Sequence, residues 1–329
     1  MKFSTRNIAI IGAGQIGSRH LQALALSEIP ISIQVIDENS DALHAAKNLF
    51  FNSKSNGKIN GITFSNCIDD LNNDLDLVIV ATSAINRRII IEQLLQEKKV
   101  KYLILEKVLF QKEEDYYVVE SLLNQFQVKA WVNCPRRMWT IYKDLKLALL
   151  NSKCIQINII GSDIGLGCNG IHFLDLFSYM CNNFDFILNG DLLDNKIIPS
   201  KREGYKEFTG TLNCFSSNGC MLSITSFKEP GIPLMVQINS DHIQCQILEQ
   251  EGKAFISCSD NDWKWKEIDF TVPFQSQLTQ IVLQQLINTG SCELTTFKES
   301  CKLHIPFINI LIKHCRTQLN KVVISCPIT

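Results

Sequence analysis

The feature that most constrains the fold is an apolar run, Ile8–Ile11, that ends in three spaced glycines and continues into a helix-like segment. Gly12 allows a tight turn from strand to helix, Gly14 lets backbone N–H groups approach a pyrophosphate, and Gly17 lets the helix pack against the strand. The amino terminus of that helix adds a partial positive charge. The pattern predicts a dinucleotide-binding turn, with cofactor contacts from Gly12, Gly14, Gln15, Ile16 and Gly17.

An acidic residue follows the next predicted strand. Ile31–Ile36 is an apolar run, and Asp37 stands at its end, 25 residues after Gly12. A carboxylate at this point accepts hydrogen bonds from ribose hydroxyls and repels a 2′-phosphate. Asp37 therefore predicts NAD rather than NADP. The alternative is that Asp37 caps a helix that begins near Ser40.

Apolar runs alternate with helical segments through the first 133 residues. Near-continuous apolar runs are typical of buried parallel strands. Further strands are predicted at 75–81, 102–107 and 128–133, helices near 88–97 and 113–126, and a polar loop at 51–61. The alternation predicts a doubly wound α/β domain, a Rossmann fold, over residues 1–133.

The pattern changes after Cys134-Pro135. A linking helix is predicted over 137–150, a strand over 155–160 and an apolar helix over 169–181. Short alternating segments between 186 and 268 predict a large, mostly antiparallel open sheet, and two helices follow. Residues 134–329 are therefore predicted to form a second, α+β domain.

The composition excludes several classes of partner. Lys and Arg number 32 against 33 Asp and Glu, so no excess charge attracts nucleic acid or an anionic membrane. No long apolar segment or secretion signal is found, and we expect a cytoplasmic protein. The thirteen cysteines are expected to be free thiols, and their spacings predict no metal site.

Five segments together resemble one protein family. They are Gly12–Gly17 with Arg19-His20, Ala81-Thr82, Glu106-Lys107, Arg136-Arg137 and Gly170–Asp175. Over almost its whole length, the chain is similar to the family of glucose-fructose oxidoreductase, inositol dehydrogenase and MocA, abbreviated Gfo/Idh/MocA. The resemblance implies hydride transfer between NAD or NADP and a secondary alcohol, usually of a sugar or cyclitol. It also implies cofactor contacts from Ala81, Thr82, Glu106 and Lys107.

Two residues are predicted to handle the substrate proton. Lys107 stands at the carboxyl end of an apolar strand, where ligands bind in open α/β sheets. His172 lies on an apolar helix, and its imidazole titrates near neutrality. The resemblance favours a catalytic role for both; the alternatives are a solvated lysine and a core histidine. Asn169 is a predicted substrate contact, and Asp175 is predicted to contact the substrate, orient His172 or hydrogen-bond elsewhere.

Basic and phenolic residues follow the sixth predicted strand. Arg136, Arg137 and Tyr142 are predicted to bind an anionic part of the substrate, such as a diphosphate or carboxylate. The alternative is that the two arginines form ion pairs that link the domains.

Four positions depart from the residues usual in the family. Ser83 and Val108 replace prolines, and Arg87 replaces a histidine. Because proline restricts the backbone of a turn, its loss bears on geometry more than on chemistry. Cys168 stands four residues before His172, where many polyol dehydrogenases of the family carry an aspartate. This last change makes the chain closer in type to the family's nucleotide-sugar 3-dehydrogenases than to its inositol dehydrogenases.

The sequence thus predicts an NAD-dependent oxidoreductase acting on a ring hydroxyl of a sugar, foremost a nucleotide-linked amino sugar in surface-polysaccharide synthesis. One alternative is a free-sugar or inositol dehydrogenase. Another is a relative that binds NAD without turnover and serves as a sensor or interaction protein. In this family the exposed face of the second domain's sheet usually pairs subunits, so the resemblance implies a homodimer or homotetramer.

Overall fold

The structure is a computed structural model that describes residues 4–329. These residues divide into two compact units. The N-terminal unit comprises residues 4–110, 114–135 and 273–298, and the C-terminal unit comprises 111–113, 136–272 and 299–329. The sequence places one boundary, after residue 133. The segment 273–298 joins the first unit because its helix packs on the first helix of the chain and its strand extends the first sheet.

Strands and helices alternate in the first half of the chain, and strands dominate the second. The strands are β1 (Arg6–Ile11), β2 (Ile31–Ile36), β3 (Ile59–Ser65), β4 (Asp74–Val80), β5 (Lys99–Leu105), β6 (Lys129–Val132), β7 (Ile155–Ser162), β8 (Phe186–Leu193), β9 (Ile198–Pro199), β10 (Lys206–Glu207), β11 (Gly210–Ser216), β12 (Met221–Phe227), β13 (Met235–Ser240), β14 (Ile243–Leu248), β15 (Lys253–Cys258), β16 (Lys266–Asp269) and β17 (Thr295–Thr296). The helices are α1 (Gln15–Leu24), α2 (Ser40–Phe51), α3 (Arg87–Glu97), α4 (Glu113–Gln125), α5 (Thr140–Ala148), α6 (Leu166–Cys181), α7 (Gln275–Thr289) and α8 (Phe297–Leu319). Among residues 4–329, none of these helices is long and apolar enough to cross a membrane.

The N-terminal unit is built on a seven-stranded sheet. Its spatial order is β17, β6, β5, β4, β1, β2, β3. The first six strands in chain order are parallel to their neighbours, and β17 pairs with β6 antiparallel. Strand residues such as Ile8–Ile10 and Leu77–Val80 are fully buried, as expected when helices cover both faces. This is the predicted Rossmann fold.

The C-terminal unit is built on an eight-stranded open sheet in the order β16, β15, β14, β13, β7, β12, β11, β8. Only the β7–β12 pair is parallel among the described pairs. One face of this sheet packs against α6. Gly170 allows a close approach on this helix, since a Cβ atom there would lie 3.1 Å from the ring of Phe307. The predicted mostly antiparallel second domain, and with it the α/β class, is confirmed.

Three predicted boundaries are wrong. Strand β3 begins at Ile59, inside the predicted loop at 51–61; its residues are only half buried, so its apolar periodicity is weak. The predicted helix at 137–150 is a 3-10 turn, Pro135–Met138, followed by α5, because Trp139 has an extended backbone. Helix α6 begins three residues before the predicted Asn169.

Candidate functional site

The carboxyl ends of five parallel strands lie at the same level of the N-terminal sheet. Their last residues are paired neighbours in the order Ile36, Ile11, Val80, Leu105 and Val132. The residue after each strand donates its backbone N–H to a carbonyl of a neighbouring strand and so extends the ladder. These residues are Asp37, Gly12, Ala81, Glu106 and Asn133. The fold therefore places residues from four separate sequence motifs side by side.

Glycine is required at two positions beside this edge. The φ angle of Gly12 is +99°, and a Cβ atom there would lie 2.8 Å from the carbonyl carbon of Ala81. A Cβ atom on Gly17 would lie 1.8 Å from the carbonyl oxygen of Gly12. Side chains at either position would push α1 away from the ends of β1 and β4.

Gly14 differs from these two glycines because its Cα faces open space. A Cβ atom there would meet no atom within 4 Å, and Gly14 and Gln15 are exposed while Ile16 is half-buried. The first N–H groups of α1 have no intrahelical acceptor. An anion can therefore approach the backbone of Gly14, Gln15 and Ile16 directly, as a pyrophosphate requires.

Asp37 is directed toward the glycine turn. Its Oδ2 accepts a hydrogen bond from the N–H of Ala13 at 2.6 Å, and its Oδ1 accepts one from the N–H of Asn39 at 2.9 Å. Helix α2 is capped by Asn39, whose side chain accepts from Asp41 and Ala42. The alternative that Asp37 caps this helix is therefore wrong. The half-buried carboxylate lies at the end of β2, where a ribose is bound in dinucleotide folds.

The segment after β4 presents a polar atom without a partner. The Oγ1 of Thr82 is buried and makes no hydrogen bond within residues 4–329. The backbone of Thr82 lies against Gly12. Buried hydroxyls usually have partners, so this atom, together with the open backbone at Gly14, fits a polar ligand that lies along the strand ends.

Glu106 is the centre of a buried polar network. Its Oε1 lies 2.9 Å from Nε2 of His20 and accepts from Nδ2 of Asn133 at 2.5 Å. On the other side of the ring, His20 Nδ1 lies 2.8 Å from Oγ1 of Thr279 on α7. Burial alone would raise the pKa of Glu106, but His20, Asn133 and the charge of Lys107 lower it below its ordinary value of 4.5. Glu106 is therefore a fixed negative charge.

Lys107 follows Glu106 directly and is half-buried. The peptide bond between Lys107 and Val108 is cis, at the position where Val108 replaces the family's usual proline. Val108 itself is fully buried. Lys107 therefore lies at the carboxyl end of β5, as predicted. It directly follows the charged Glu106 and precedes the buried side chain of Val108.

A carboxylate of the C-terminal unit accepts hydrogen bonds from the first turn of α6. Glu207 is buried and accepts from the N–H groups of Gly167 at 2.7 Å and Cys168 at 3.0 Å. The side chain of Asn169 donates to the carbonyl of Ile164 at 2.8 Å. Cys168 and Asn169 therefore help to form the first turn of the helix on which His172 lies.

His172 lies on the second turn of α6, between the buried residues Ile171 and Phe173. Its own side chain is half-buried. Its Nδ1 atom is buried, so the ring is partly enclosed, and a catalytic role for His172 stays a prediction.

The predicted substrate-binding cations are paired with carboxylates inside the C-terminal unit. Arg137 donates to Asp175 at 3.0 and 3.1 Å, and Arg136 donates to Glu249 through Nε and Nη2 at 2.8 Å each. The hydroxyl of Tyr142 donates to the same Glu249 at 2.6 Å. Burial first, and the charge of Glu249 second, raise the pKa of Tyr142 well above its ordinary value of 10.0. The ion pairs expected as an alternative are present, but within one unit. Substrate binding by these residues stays a prediction.

Comparison with known proteins identifies the N-terminal part of the chain. Residues 6–134 match the model of the Gfo/Idh/MocA family, described as "Oxidoreductase family, NAD-binding Rossmann fold". Residues 6–134 thus form the NAD-binding domain of the Gfo/Idh/MocA oxidoreductases, and the predicted family is confirmed for this part of the chain. No curated protein matches the sequence.

Solved structures share the fold over nearly the whole chain. An oxidoreductase from Agrobacterium radiobacter, in complex with NAD+, L-tartaric acid and magnesium, is 15% identical, with a TM-score of 0.71 over 92% of this chain and 94% of the other. UDP-N-acetylglucosamine 3-dehydrogenase GnnA from Acidithiobacillus ferrooxidans is 14% identical, with a TM-score of 0.69 over 93% of this chain and 97% of the other. A super-repressor mutant of Gal80p from Saccharomyces cerevisiae is 12% identical, with a TM-score of 0.70 over 95% of this chain and 96% of the other. At these identities the likeness shows the fold alone.

Several polar partners at the site are not predicted from the sequence. Asn133 directly follows β6, so the rule that strand ends carry functional side chains would have found it. Thr279, Glu207 and Glu249 lie far along the chain from the residues they contact. No local pattern connects them to those residues.

Replacing Glu106 by Gln should change the pH dependence of stability. The pKa of Glu106 is lowered in the folded protein, so the carboxylate stabilises the fold above about pH 4.5, and this stabilisation is lost as the pH falls through the lowered pKa. We expect E106Q to be less stable at neutral pH by roughly 1–3 kcal/mol and to lose less stability than wild type on acidification. Urea unfolding at several pH values measures both effects.

Glu97→Gln is the matched control for this variant, because Glu97 is exposed at the end of α3. Its pH dependence should equal that of the wild type. Equal slopes for E106Q and wild type would show that Glu106 is not kept charged by its partners.

Proposed function

We propose that the protein is an NAD-dependent oxidoreductase that transfers hydride between nicotinamide and a secondary alcohol of a sugar ring. The single observation that carries this proposal is the row of strand ends. Asp37, Gly12, Ala81 and Glu106 adjoin one another at the edge of a sheet where α/β folds bind dinucleotides. Lys107, an amine able to exchange a proton, directly follows this row.

The residues that would bind NAD are assigned by position along the row. Asp37 would accept from the adenosine ribose, and the backbone of Gly14, Gln15 and Ile16 would donate to the pyrophosphate. The hydroxyl of Thr82, which has no hydrogen-bond partner in the described part of the chain, fits a contact farther along the cofactor. When bound, NAD supplies the hydride acceptor. The carboxylate of Asp37 supports NAD over NADP because it repels a 2′-phosphate.

Two side chains of this chain would handle the proton of the substrate hydroxyl. Lys107 directly follows Glu106, a carboxylate that stays ionised near neutral pH. The lysine amine can exchange a proton with an alkoxide or carbonyl oxygen of the substrate. His172 has the half-buried position that a general base needs to meet both substrate and solvent. We assign both as catalytic residues.

For the substrate class we propose a nucleotide-linked amino sugar used in surface-polysaccharide synthesis. Cys168 replaces the aspartate of the family's polyol dehydrogenases, and its N–H is bonded to Glu207 in the first turn of α6. UDP-N-acetylglucosamine 3-dehydrogenase GnnA shares the fold, which is compatible with this class. A free-sugar or inositol substrate, and a binding protein without turnover, are the alternatives that the experiments below separate.

We also propose that a second copy of this chain covers the outer face of the C-terminal sheet, giving a homodimer or homotetramer. The outward residues of β7, β11, β12, β13 and β14 include no charged side chain. One row across these strands, in register, consists of Asn213, Ser223, Asn158, Gln237 and Gln246. In a twofold pair each patch meets its own copy, so an uncharged face avoids like-charge repulsion. These five strands of about 20 Å present roughly 480 Å²; the flanking strands of the sheet would supply the rest of the roughly 800 Å² per partner of a standard interface.

Asp37→Asn should reduce the preference for NAD. The amide keeps an oxygen that can accept from Ala13 but removes the negative charge, so we expect the ratio of NADP to NAD dissociation constants to fall by roughly tenfold or more. Fluorescence titration of both cofactors measures this ratio. Glu38→Gln, the exposed neighbour, should leave it unchanged. Equal affinity of the wild type for both cofactors would contradict the assignment.

Lys107→Met and His172→Asn should each lower kcat by roughly 100- to 10,000-fold, with NAD still bound. The measurement is the absorbance of reduced nicotinamide, with a UDP-linked N-acetylated amino sugar, the free sugar and inositol supplied in parallel. The matched controls are Lys99→Met, at the exposed start of β5, and His44→Asn, on the exposed face of α2. A wild-type kcat in K107M or H172N would overturn that residue's assignment.

The same panel separates the three functions. A higher kcat/KM for the nucleotide-linked sugar supports the proposed class, and a higher value for the free sugar or inositol supports the first alternative. If the wild type binds NAD and reduces it with no sugar, the oxidoreductase proposal fails in favour of a binding protein.

Asn158→Arg should dissociate the proposed oligomer. It places a cation on the central strand β7, opposite its own copy in a twofold pair, and we expect a monomer in sedimentation velocity at micromolar protein. Asn218→Arg, in the exposed turn before β12, is the matched control and should leave the oligomer intact. A monomeric wild type, or an unchanged oligomer in N158R, would exclude this face as the interface.

A further inference from the structure

Arg87 joins the ends of two neighbouring strands. It is the first residue of α3 and is 1% exposed. Its Nη1 donates to the carbonyl oxygens of Glu106 at 2.5 Å, Leu109 at 2.9 Å and Val108, and its Nη2 donates to that of Thr82. One guanidinium thus bonds the segment after β4 and the segment after β5.

Three of the four acceptors surround Lys107 in the sequence. They are the carbonyl groups of the residue before it and of the two residues after it. Fixing the backbone on both sides of a residue fixes the direction of its Cα–Cβ bond, and with it the region that its side chain can reach. The side chain of Glu106 is fixed separately by His20 and Asn133. The backbone of Lys107 is therefore held both by Arg87 and by the neighbouring Glu106.

The contacts come from two guanidinium nitrogens, Nη1 to the segment after β5 and Nη2 to the segment after β4. Lysine carries its three N–H donors on one nitrogen and neutral histidine has one N–H, so neither can bond both segments in this way. Hydrogen bonds from a charged donor are roughly twice as strong as neutral ones. The two segments that Arg87 bonds are also those in which Ser83 and Val108 replace the prolines usual in the family. Arg87 thus restrains, through hydrogen bonds, a backbone that proline would restrain covalently.

We propose that Arg87 is a positioning residue that fixes Lys107 for proton transfer by bonding the carbonyl groups around it. The inference rests on the proposed catalytic role of Lys107. It assigns to Arg87 no contact with substrate or cofactor. Arg87 affects turnover only by positioning Lys107. This distinguishes the proposed role from a general contribution to the stability of the fold.

Arg87→Lys tests the proposal through a double-mutant cycle with Lys107→Met. The lysine keeps the charge but cannot bond both segments, so we expect kcat to fall by about 10- to 100-fold, while the KM for the sugar and the Kd for NAD change by less than about threefold. In the K107M background, the same substitution should lower kcat by less than about twofold, because the lysine to be positioned is gone. Arg88→Lys, the partly exposed neighbour that pairs with Glu92 and Asp115, is the matched control.

A second readout needs no turnover. Labelling of Lys107 by an amine-reactive reagent, followed by mass spectrometry with Lys99 as internal reference, should be at least about threefold faster in R87K because the segment opens more often. Should R87K fail to fold, Arg87→Gln, which keeps a planar amide donor, takes its place in both measurements. Adding Val108→Pro to either variant should recover part of the lost kcat, since proline restricts the segment independently.

The outcomes distinguish this inference from the proposed function. An unchanged kcat in K107M overturns the proposed role of the lysine and the positioning role with it. A large loss in K107M together with an unchanged kcat in R87K overturns the positioning role alone. Equal losses on Arg87→Lys with and without Lys107 also overturn it, because Arg87 would then act independently of the lysine.

Discussion

The register of the N-terminal sheet is the constraint on which the cofactor-binding edge depends. Ile36, Ile11, Val80, Leu105 and Val132 are mutual neighbours, so five strands end together and the residues after them form one row. A slip of one residue would turn buried side chains to the opposite face, and the burial of these apolar strands on both faces opposes it. Residues far apart in the sequence thereby become neighbours without any direct bond being needed between them.

The parts of this edge that were predicted from the sequence are those dictated by the backbone. Gly12 and Gly17 could be identified because only glycine fits where a Cβ atom would overlap the next strand or turn. Asp37 could be identified because it directly follows a strong apolar strand. Only the first three residues of β3 fall in the predicted loop at 51–61, and the sequence predicts no strand over the others. Its residues are at most half-buried at the sheet edge, so tertiary pairing with β2, and not local periodicity, defines this strand.

The partners of charged groups could not be predicted in the same way. Arg137 and Asp175 were each identified as substrate contacts, yet they bond each other. The sequence marks Arg87 only as a departure from the family's usual histidine, although its guanidinium joins two strand ends. Which carboxylate or carbonyl lies within reach of a long cationic side chain depends on the packing of distant segments. A single sequence carries no periodic pattern for such contacts.

The pairing of the arginines bears on how a nucleotide-linked substrate would be recognised. Removing one partner from a buried ion pair costs about 3–5 kcal/mol, so a diphosphate that displaced Glu249 from Arg136 would leave a buried carboxylate uncompensated. Arg136 also lies over the ring of Phe173, 4.4 Å from its centre, one residue after His172. These contacts make Arg136 part of the support for α6. A diphosphate bound by Arg136 or Arg137 would therefore have to lie beside the existing ion pairs and leave them intact, and substrate binding by these two arginines stays a prediction.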